Sequence, residues 1–399
     1  MAVFAAVMTG KAAAAISTIQ VFGDLAETVI QKIFKPLRTK PAKFKTGKIL
    51  LGTINEAGET IDQVTIGCEA TNSFAIHCHG NPLIVEMIMQ LLQRCGAKLI
   101  TAEQMLAKIF AAQKPMSTIA LEAKLAQLKA KTIQGTKIIA NQIDAGLSKI
   151  ITEWLQNIKT ISLDEISTQA EQILKDSRTA KLIMFGCKAA IIGPPNTGKS
   201  TLLNCLASRQ KAIVADIKGT TRDWVSATCR TEPLSVEFID TAGLDEKHPA
   251  SKDTVEKMAQ QKSVEILEQA DLVLLVLDNS QTVSQLDGRL LERIINKKVL
   301  TVLNKSDLPA KFDAVNLPQR VPAGRGPSLD NTVQISAKVG TGIEDLTQKI
   351  RQICGVADFD LKTAVCITCR QENLLKQLQR AESKQQVAST ITELLNGWV

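Results

Sequence analysis

Gly193-Pro-Pro-Asn-Thr-Gly-Lys-Ser200 decides the reading of this chain. Four residues separate Gly193 from Gly198, and Lys199 and Ser200 follow at once. This is the spacing of a loop whose backbone N–H groups wrap a phosphate. Such a loop needs a buried strand before it and, after it, a helix whose N-terminus faces the anion. The apolar run 188–192 supplies the strand, and residues 202–208 repeat at helical period. Lys199 is then expected at the β- and γ-phosphate oxygens, and Ser200 to offer its hydroxyl to Mg2+. Asn196, Thr197, Gly198 and Thr201 complete the expected phosphate contacts.

Working outward, apolar runs at 236–239, 272–277 and 299–303 alternate with helical stretches, which predicts a doubly wound, mostly parallel α/β sheet. Asn304-Lys305-Ser306-Asp307 follows the third run, at the carboxyl end of a strand, where open α/β sheets bind ligands. An aspartate there can accept from both the ring N–H and the amino group of guanine. Adenine offers no such pair and would leave the carboxylate unsatisfied. Ser336-Ala337-Lys338, after the short run 333–335, can present a backbone N–H to the guanine oxygen. Asp240-Thr-Ala-Gly243 ends another run, with Asp240 expected to hold Mg2+ through water and the Gly243 N–H to meet the γ-phosphate. Gly219-Thr-Thr-Arg-Asp223 lies between, where a switch segment closes over metal and phosphate. Asp-x-x-Gly alone is an ordinary turn and Asn-Lys-x-Asp alone is weak. Their order and distance carry the argument for a P-loop GTPase using GTP, GDP and Mg2+.

The remainder of the 399 residues surrounds this module. Charged residues at 22% and hydrophobic residues at 45% describe a globular chain rather than a disordered one. No apolar run has the length of a membrane span, and the apolar start at residues 2–8 reads as a buried strand. Residues 49–54 and 60–68 flank Asn55-Glu-Ala-Gly58 as a hairpin, and a helix over 83–95 stops at Gly96. Residues 102–184 predict three or four long helices, and 370–395 one more helical stretch. The expected domains are an α+β domain at 1–108, a helical domain begun at 109–185 and resumed at 356–399, and the GTPase module inserted at 186–355.

Net charge is +8, and Lys32, Lys35, Arg38, Lys40, Lys43, Lys45 and Lys48 crowd one stretch, either an RNA-facing patch or a solvated face. Cys366-Ile-Thr-Cys369 is a lone CxxC among nine scattered cysteines, read as small buried thiols in a reducing cytosol rather than a zinc or redox pair. His77 and His79 share one face of a strand, but their spacing to Cys68 and Cys95 is not diagnostic of a metal.

The motifs Gly193-x-Pro-Asn-x-Gly-Lys-Ser200, Ala215-Asp-Ile-x-Gly-Thr-Thr-Arg-Asp223, Asp240-Thr-Ala-Gly-Leu244 and Asn304-Lys-x-Asp307 resemble those of the TrmE (MnmE) family of tRNA-modification GTPases. Asn72-Ser-Phe74 and His79-Gly-Asn-Pro-Leu83 are similar to that family's N-terminal folate-binding domain. The resemblance implies K+ in place of an arginine finger, held by Asn196, the Ala215 and Ile217 carbonyls and Thr220, with Thr221 as a switch ligand to Mg2+. Leu244 stands where many GTPases place a water-orienting glutamine, and Glu256, sixteen residues beyond Asp240, is the match for the family's water-positioning glutamate. The resemblance further implies a cytoplasmic homodimer working with an MnmG-like flavoprotein on tRNA. Gly10-Lys-Ala-Ala13 replaces the family's Gly-Arg-Gly-Gly loop, and the Thr-Gly-Glu stretch after Phe74 is missing, which makes folate binding doubtful. The sequence closes on Asn396-Gly-Trp-Val399 without the family's Cys-Ile-Gly-Lys tail, after what reads as one helix of the closing segment. A GTP/GDP switch without modification activity, or a ribosome-assembly GTPase, are the alternative readings.

Overall fold

The computed structural model describes residues 2–10, 12–37, 44–112, 117–208, 226–240, 265–285, 288–313 and 327–397. They divide into two compact units, Met1–Ser117 and Thr118–Val399.

The first unit is built on β1 (Val3–Val7), β2 (Ile16–Phe22), β3 (Phe34–Pro36), β4 (Ile49–Glu56), β5 (Glu59–Ala70), β6 (Ser73–His79) and β7 (Ala97–Leu99). They form one sheet in the order β3-β4-β5-β6-β2-β1-β7, antiparallel except where β7 joins β1. The hairpin turn is Ala57-Gly58, both with positive φ (50° and 93°), which pairs Glu56 with Glu59. Two left-handed residues match the twist of the strands they join. Alternate residues of β5 (Val64, Ile66, Cys68) point into a core with Ile19, Phe74 and Ile76. That core is closed by α1 (Ala26–Ile33) and by α2 (Pro82–Arg94), through Ile30, Ile88 and Leu92. Asn81 caps α2 by accepting from Leu83 N at 2.9 Å, and Gly96 (φ 97°) follows its end. The third helix, α3 (Ala102–Ala112), completes the unit.

The second unit opens with α4 (Thr118–Gln127), α5 (Ile133–Asp144), α6 (Gly146–Gln156) and α7 (Leu163–Phe185). Residues 102–185 thus make five helices, of which only α7 is long, against the three or four long ones expected. The breaks are local: Thr132 and Ser162 cap α5 and α7 by accepting from Gly135 N and Glu165 N, and Gly146 (φ 43°) turns the chain between α5 and α6. Apolar periodicity runs through such caps without registering them.

Next comes the sheet of β8 (Cys187–Ile192), β9 (Ser226–Thr231), β10 (Leu234–Asp240), β11 (Leu272–Asp278), β12 (Val299–Asn304) and β13 (Thr332–Gln334), with α8 (Lys199–Ser208), α9 (Gly288–Ile294) and α10 (Ile343–Cys354). Strand order is β13-β12-β11-β8-β10-β9, parallel throughout except for β9, an antiparallel edge strand too polar for periodicity to reveal. Every residue of β11 and β12 is buried because both faces are covered. Leu272, Leu274 and Val276 face one core with Leu202, Leu346, Ile138 and Ile183, while Val273, Leu275 and Leu277 face another with Ile294.

The chain closes on two helices, α11 (Cys369–Gln379) and α12 (Lys384–Asn396), where one was expected. Ser383 divides them by accepting from Gln386 N. Both pack with α4, α6 and α7 around Ile119, Leu147, Trp154, Ile173, Leu375 and Ile391. Residues on either side of the nucleotide motifs therefore share one helical core.

Candidate nucleotide-binding site

The carboxyl ends of β8, β10, β11 and β12 carry Ile192, Asp240, Asp278 and Asn304, with Asp278 and Asn304 paired in register. The loop leaving β8 is shaped by steric necessity. A Cβ on Gly193 (φ 150°) would overlap the Val276 carbonyl, and one on Gly198 (φ 90°) would run into the Asn304 side-chain amide. Asn196 holds φ 60°, a left-handed conformation that asparagine tolerates better than most residues. Thr197 Oγ1 donates to the Pro194 carbonyl at 2.9 Å. The Lys199 ammonium is buried and arches back to the Gly193 and Pro194 carbonyls at 3.0 and 2.8 Å, so its charge lies against the loop's own backbone.

Ser200 Oγ donates to Asp240 Oδ2 at 2.7 Å, bringing together the two described residues expected at Mg2+. A hydroxyl and a carboxylate at the head of a phosphate loop are hard oxygen donors, and they fit Mg2+ with its reluctance to shed water. Thr201 is exposed one position further along α8. Of the residues expected at K+, Asn196 is exposed on the loop, whereas Ala215, Ile217 and Thr220 lie outside the described residues, as do Thr221, Gly243 and Glu256.

At the other end, one buried side chain joins three segments. Asn304 Nδ2 donates to the Thr197 carbonyl at 2.8 Å, and Asn304 Oδ1 accepts from Ala337 N at 2.9 Å. Ser336 Oγ donates to Asp307 Oδ1 at 2.6 Å. That bond, then Asp307's own amide and the charges of Lys338 and Lys305, hold the exposed Asp307 carboxyl below its ordinary range. An ionised carboxylate beside the Ala337–Lys338 turn can accept from the guanine edge. Lys305 (φ 65°) sends its ammonium to Asp278 Oδ2 at 2.6 Å. Sequence reasoning missed Asp278, although a carboxylate ending the apolar run 272–277 must be paired if it is buried.

Elsewhere the other candidates stay apart. His77 Nδ1 lies 3.0 Å from Thr18 Oγ1 and His79 Nδ1 lies 2.6 Å from Asp62, so the two imidazoles serve different partners. Cys366 is buried and Cys369 exposed, with no disulfide between them. No cluster of three or more His, Cys, Asp or Glu able to hold a metal exists among the described residues, and no described helix is long and apolar enough to cross a membrane.

Residues 3–114 match the family described as GTP-binding protein TrmE N-terminus, and residues 188–305 match the 50S ribosome-binding GTPases. Over its length the chain is similar to bacterial proteins named tRNA modification GTPase MnmE. It is 30% identical to that of Enterococcus faecalis, covering 98% of this chain and 88% of the relative. Against that of Aquifex aeolicus the identity is 31%, covering 93% and 86%, and against that of Ligilactobacillus salivarius it is 30%, covering 99% and 92%. The likeness runs through both units and not through the phosphate loop alone, and the chain belongs to the MnmE family of tRNA modification GTPases.

Proposed function

We propose that this protein hydrolyses GTP to GDP and phosphate, with stimulation by K+, in the modification of the wobble uridine of tRNA. The observation that carries GTP as the nucleotide is the pair of hydrogen bonds made by Asn304, which joins the phosphate loop and the guanine-reading turn into one frame. A frame ordered before ligand arrives loses less entropy on binding. Within it Lys199 neutralises phosphate oxygens, the loop N–H groups and the N-terminus of α8 hold the β-phosphate, and Asp307 selects guanine. Ser200 and, through water, Asp240 would hold Mg2+, which would supply charge neutralisation at the phosphate oxygens.

Asn196 on the exposed loop is the K+ ligand of this reading, with Ala215, Ile217 and Thr220 as its partners. Thr221 and the Gly243 N–H attend the γ-phosphate, and Glu256 orients water. Family membership supports a cytoplasmic homodimer acting with an MnmG-like flavoprotein and tRNA. The departure of Gly10-Lys-Ala-Ala13 from the family loop speaks against folate binding.

The test compares GTP hydrolysis in equimolar K+ and Na+, for wild type and Asn196→Ala. Faster turnover in K+, abolished by the substitution, is expected. Equal rates in the two salts would remove the ion from the mechanism. Unchanged wobble-uridine modification in a deletion strain would remove the tRNA role.

A further inference from the structure

Asp278 ends a strand buried on both faces and is itself only 5% exposed. Every part of it is held. Oδ1 accepts from the Ser280 amide at 2.9 Å and the Ser280 hydroxyl at 2.7 Å, and Oδ2 takes the Lys305 ammonium at 2.6 Å. Gln285 accepts from the Asp278 N–H at 2.9 Å and donates to its carbonyl at 3.0 Å. Burial pushes the carboxyl up, but the bonds from Lys305 and Ser280 outweigh it and keep the group below its ordinary range. The segment from β11 to Gln285 is thus folded around a single carboxylate that points at one lysine.

That lysine is fixed at both ends, by a left-handed backbone at φ 65° and by Asp278 at its tip. In sequence it stands between Asn304, which touches the phosphate loop, and Asp307 two positions on. A purine ring bonded along its edge to Asp307 must lay a face somewhere, and the four methylenes of a lysine tethered at its tip offer an apolar bar for it. An unpinned lysine would instead sample many rotamers and reach toward the triphosphate charge.

We propose that Asp278 is a positioning residue for guanine-nucleotide binding, pinning the Lys305 stem flat against the base while Asp307 alone chooses which purine is bound. This rests on the GTP-binding reading above. Freeing a lysine side chain restores rotamer entropy that binding must remove again, a loss of roughly tenfold in affinity.

The experiment titrates fluorescently labelled GDP and xanthosine diphosphate into wild type, Asp278→Asn, Gln285→Ala, Lys305→Met and the double variant D278N/K305M, and measures KM and kcat for GTP. Asp278→Asn is expected to weaken both diphosphates by the same factor, roughly tenfold, with the loss in KM and not in kcat. Gln285→Ala, which keeps the charge and loosens its support, should lose a smaller factor in the same direction. In the Lys305→Met background Asp278→Asn should add less than about twofold. The double variant removes both charges together and so avoids a lone buried ion if the single substitution does not fold. Wild-type affinity in both Asp278→Asn and Gln285→Ala, a changed preference between the two bases, or full additivity with Lys305→Met would overturn the proposal. Failure of the wild type itself to bind GDP would instead sink the GTP reading.

Discussion

The Ser336 hydroxyl reaches Asp307 Oδ1 across 2.6 Å, so a residue after β13 favours the charged form of the base-reading residue after β12. The Asp307 carboxyl is held below its ordinary range chiefly by this bond. A depressed carboxyl contributes fully above its unfolded value, about 3.9, and its contribution is lost as pH falls through the folded value. GDP affinity should therefore persist into the ordinary aspartate range on acidification. Ser336→Ala should move the acid limb to higher pH, and titration of labelled GDP across a pH series reads that shift.

Asn304→Ala leaves the Thr197 carbonyl and the Ala337 N–H without the partner they share. Unsatisfied buried groups cost about 1–3 kcal/mol each. The expected result is a lower denaturation midpoint together with at least tenfold weaker GDP binding. A variant with wild-type affinity would show that the two loops are ordered independently.

Gly198→Ala places a methyl against the Asn304 amide at a backbone angle of φ 90°, which L-residues avoid. The same amide holds the Thr197 carbonyl, so the clash falls on the joint between the loops. Nucleotide binding should be lost while the helical core around Trp154 and Leu375 still forms. Calorimetric titration with GDP, alongside tryptophan fluorescence, separates the two effects.

Glu122 lies buried at the meeting of α4 with α11. Its oxygens accept from Thr368 at 2.8 Å, from Arg370 at 2.9 Å through both Nε and Nη2, and from Gln371 at 2.7 Å. Arg370 also donates to the Glu393 and Leu394 carbonyls of α12. Glu122→Ala should cost about 3 kcal/mol, because the half-buried Arg370 guanidinium loses its counter-charge and Gln371 loses a buried partner. Urea unfolding measures it; a loss under about 1 kcal/mol would mean water replaces the carboxylate.

The two cysteines of the CxxC should differ in reactivity. Burial pushes the Cys366 thiol up to about 12, whereas Cys369 is exposed. Alkylation of the native protein should label Cys369 and spare Cys366. The raised value also carries a sign: stability from Cys366 is present below the unfolded value near 9.0 and declines as pH rises from there toward about 12. Equal labelling of both would contradict the packing around Ser177, whose hydroxyl accepts from Cys366 N at 2.7 Å.

What the sequence disclosed follows from how each signal is encoded. The phosphate loop was legible because Gly193 and Gly198 are fixed by close approach, and β11 and β12 because burial on both faces leaves unbroken apolar runs. The helix count in residues 102–185 was not, since caps such as Thr132 and Ser162 are single polar residues within an otherwise continuous period. Strand β9 escaped because an edge strand needs few apolar residues. The Asp278–Lys305 pair was illegible for another reason. It joins positions 27 apart in sequence, and no local pattern records which buried carboxylate meets which lysine.

One feature of the second unit reaches beyond nucleotide chemistry. The buried Cys187 and Cys354, at the entrance and exit of the sheet-bearing segment, are neighbours in one apolar core. A stretch whose two ends coincide can enter a host chain during evolution without pulling the host's helices apart. Ile138 and Ile183 of the helices nevertheless share an apolar interior with Val236 and Phe238 of the sheet. Packing of this kind couples the two in melting, and a single cooperative transition should carry helices and sheet together.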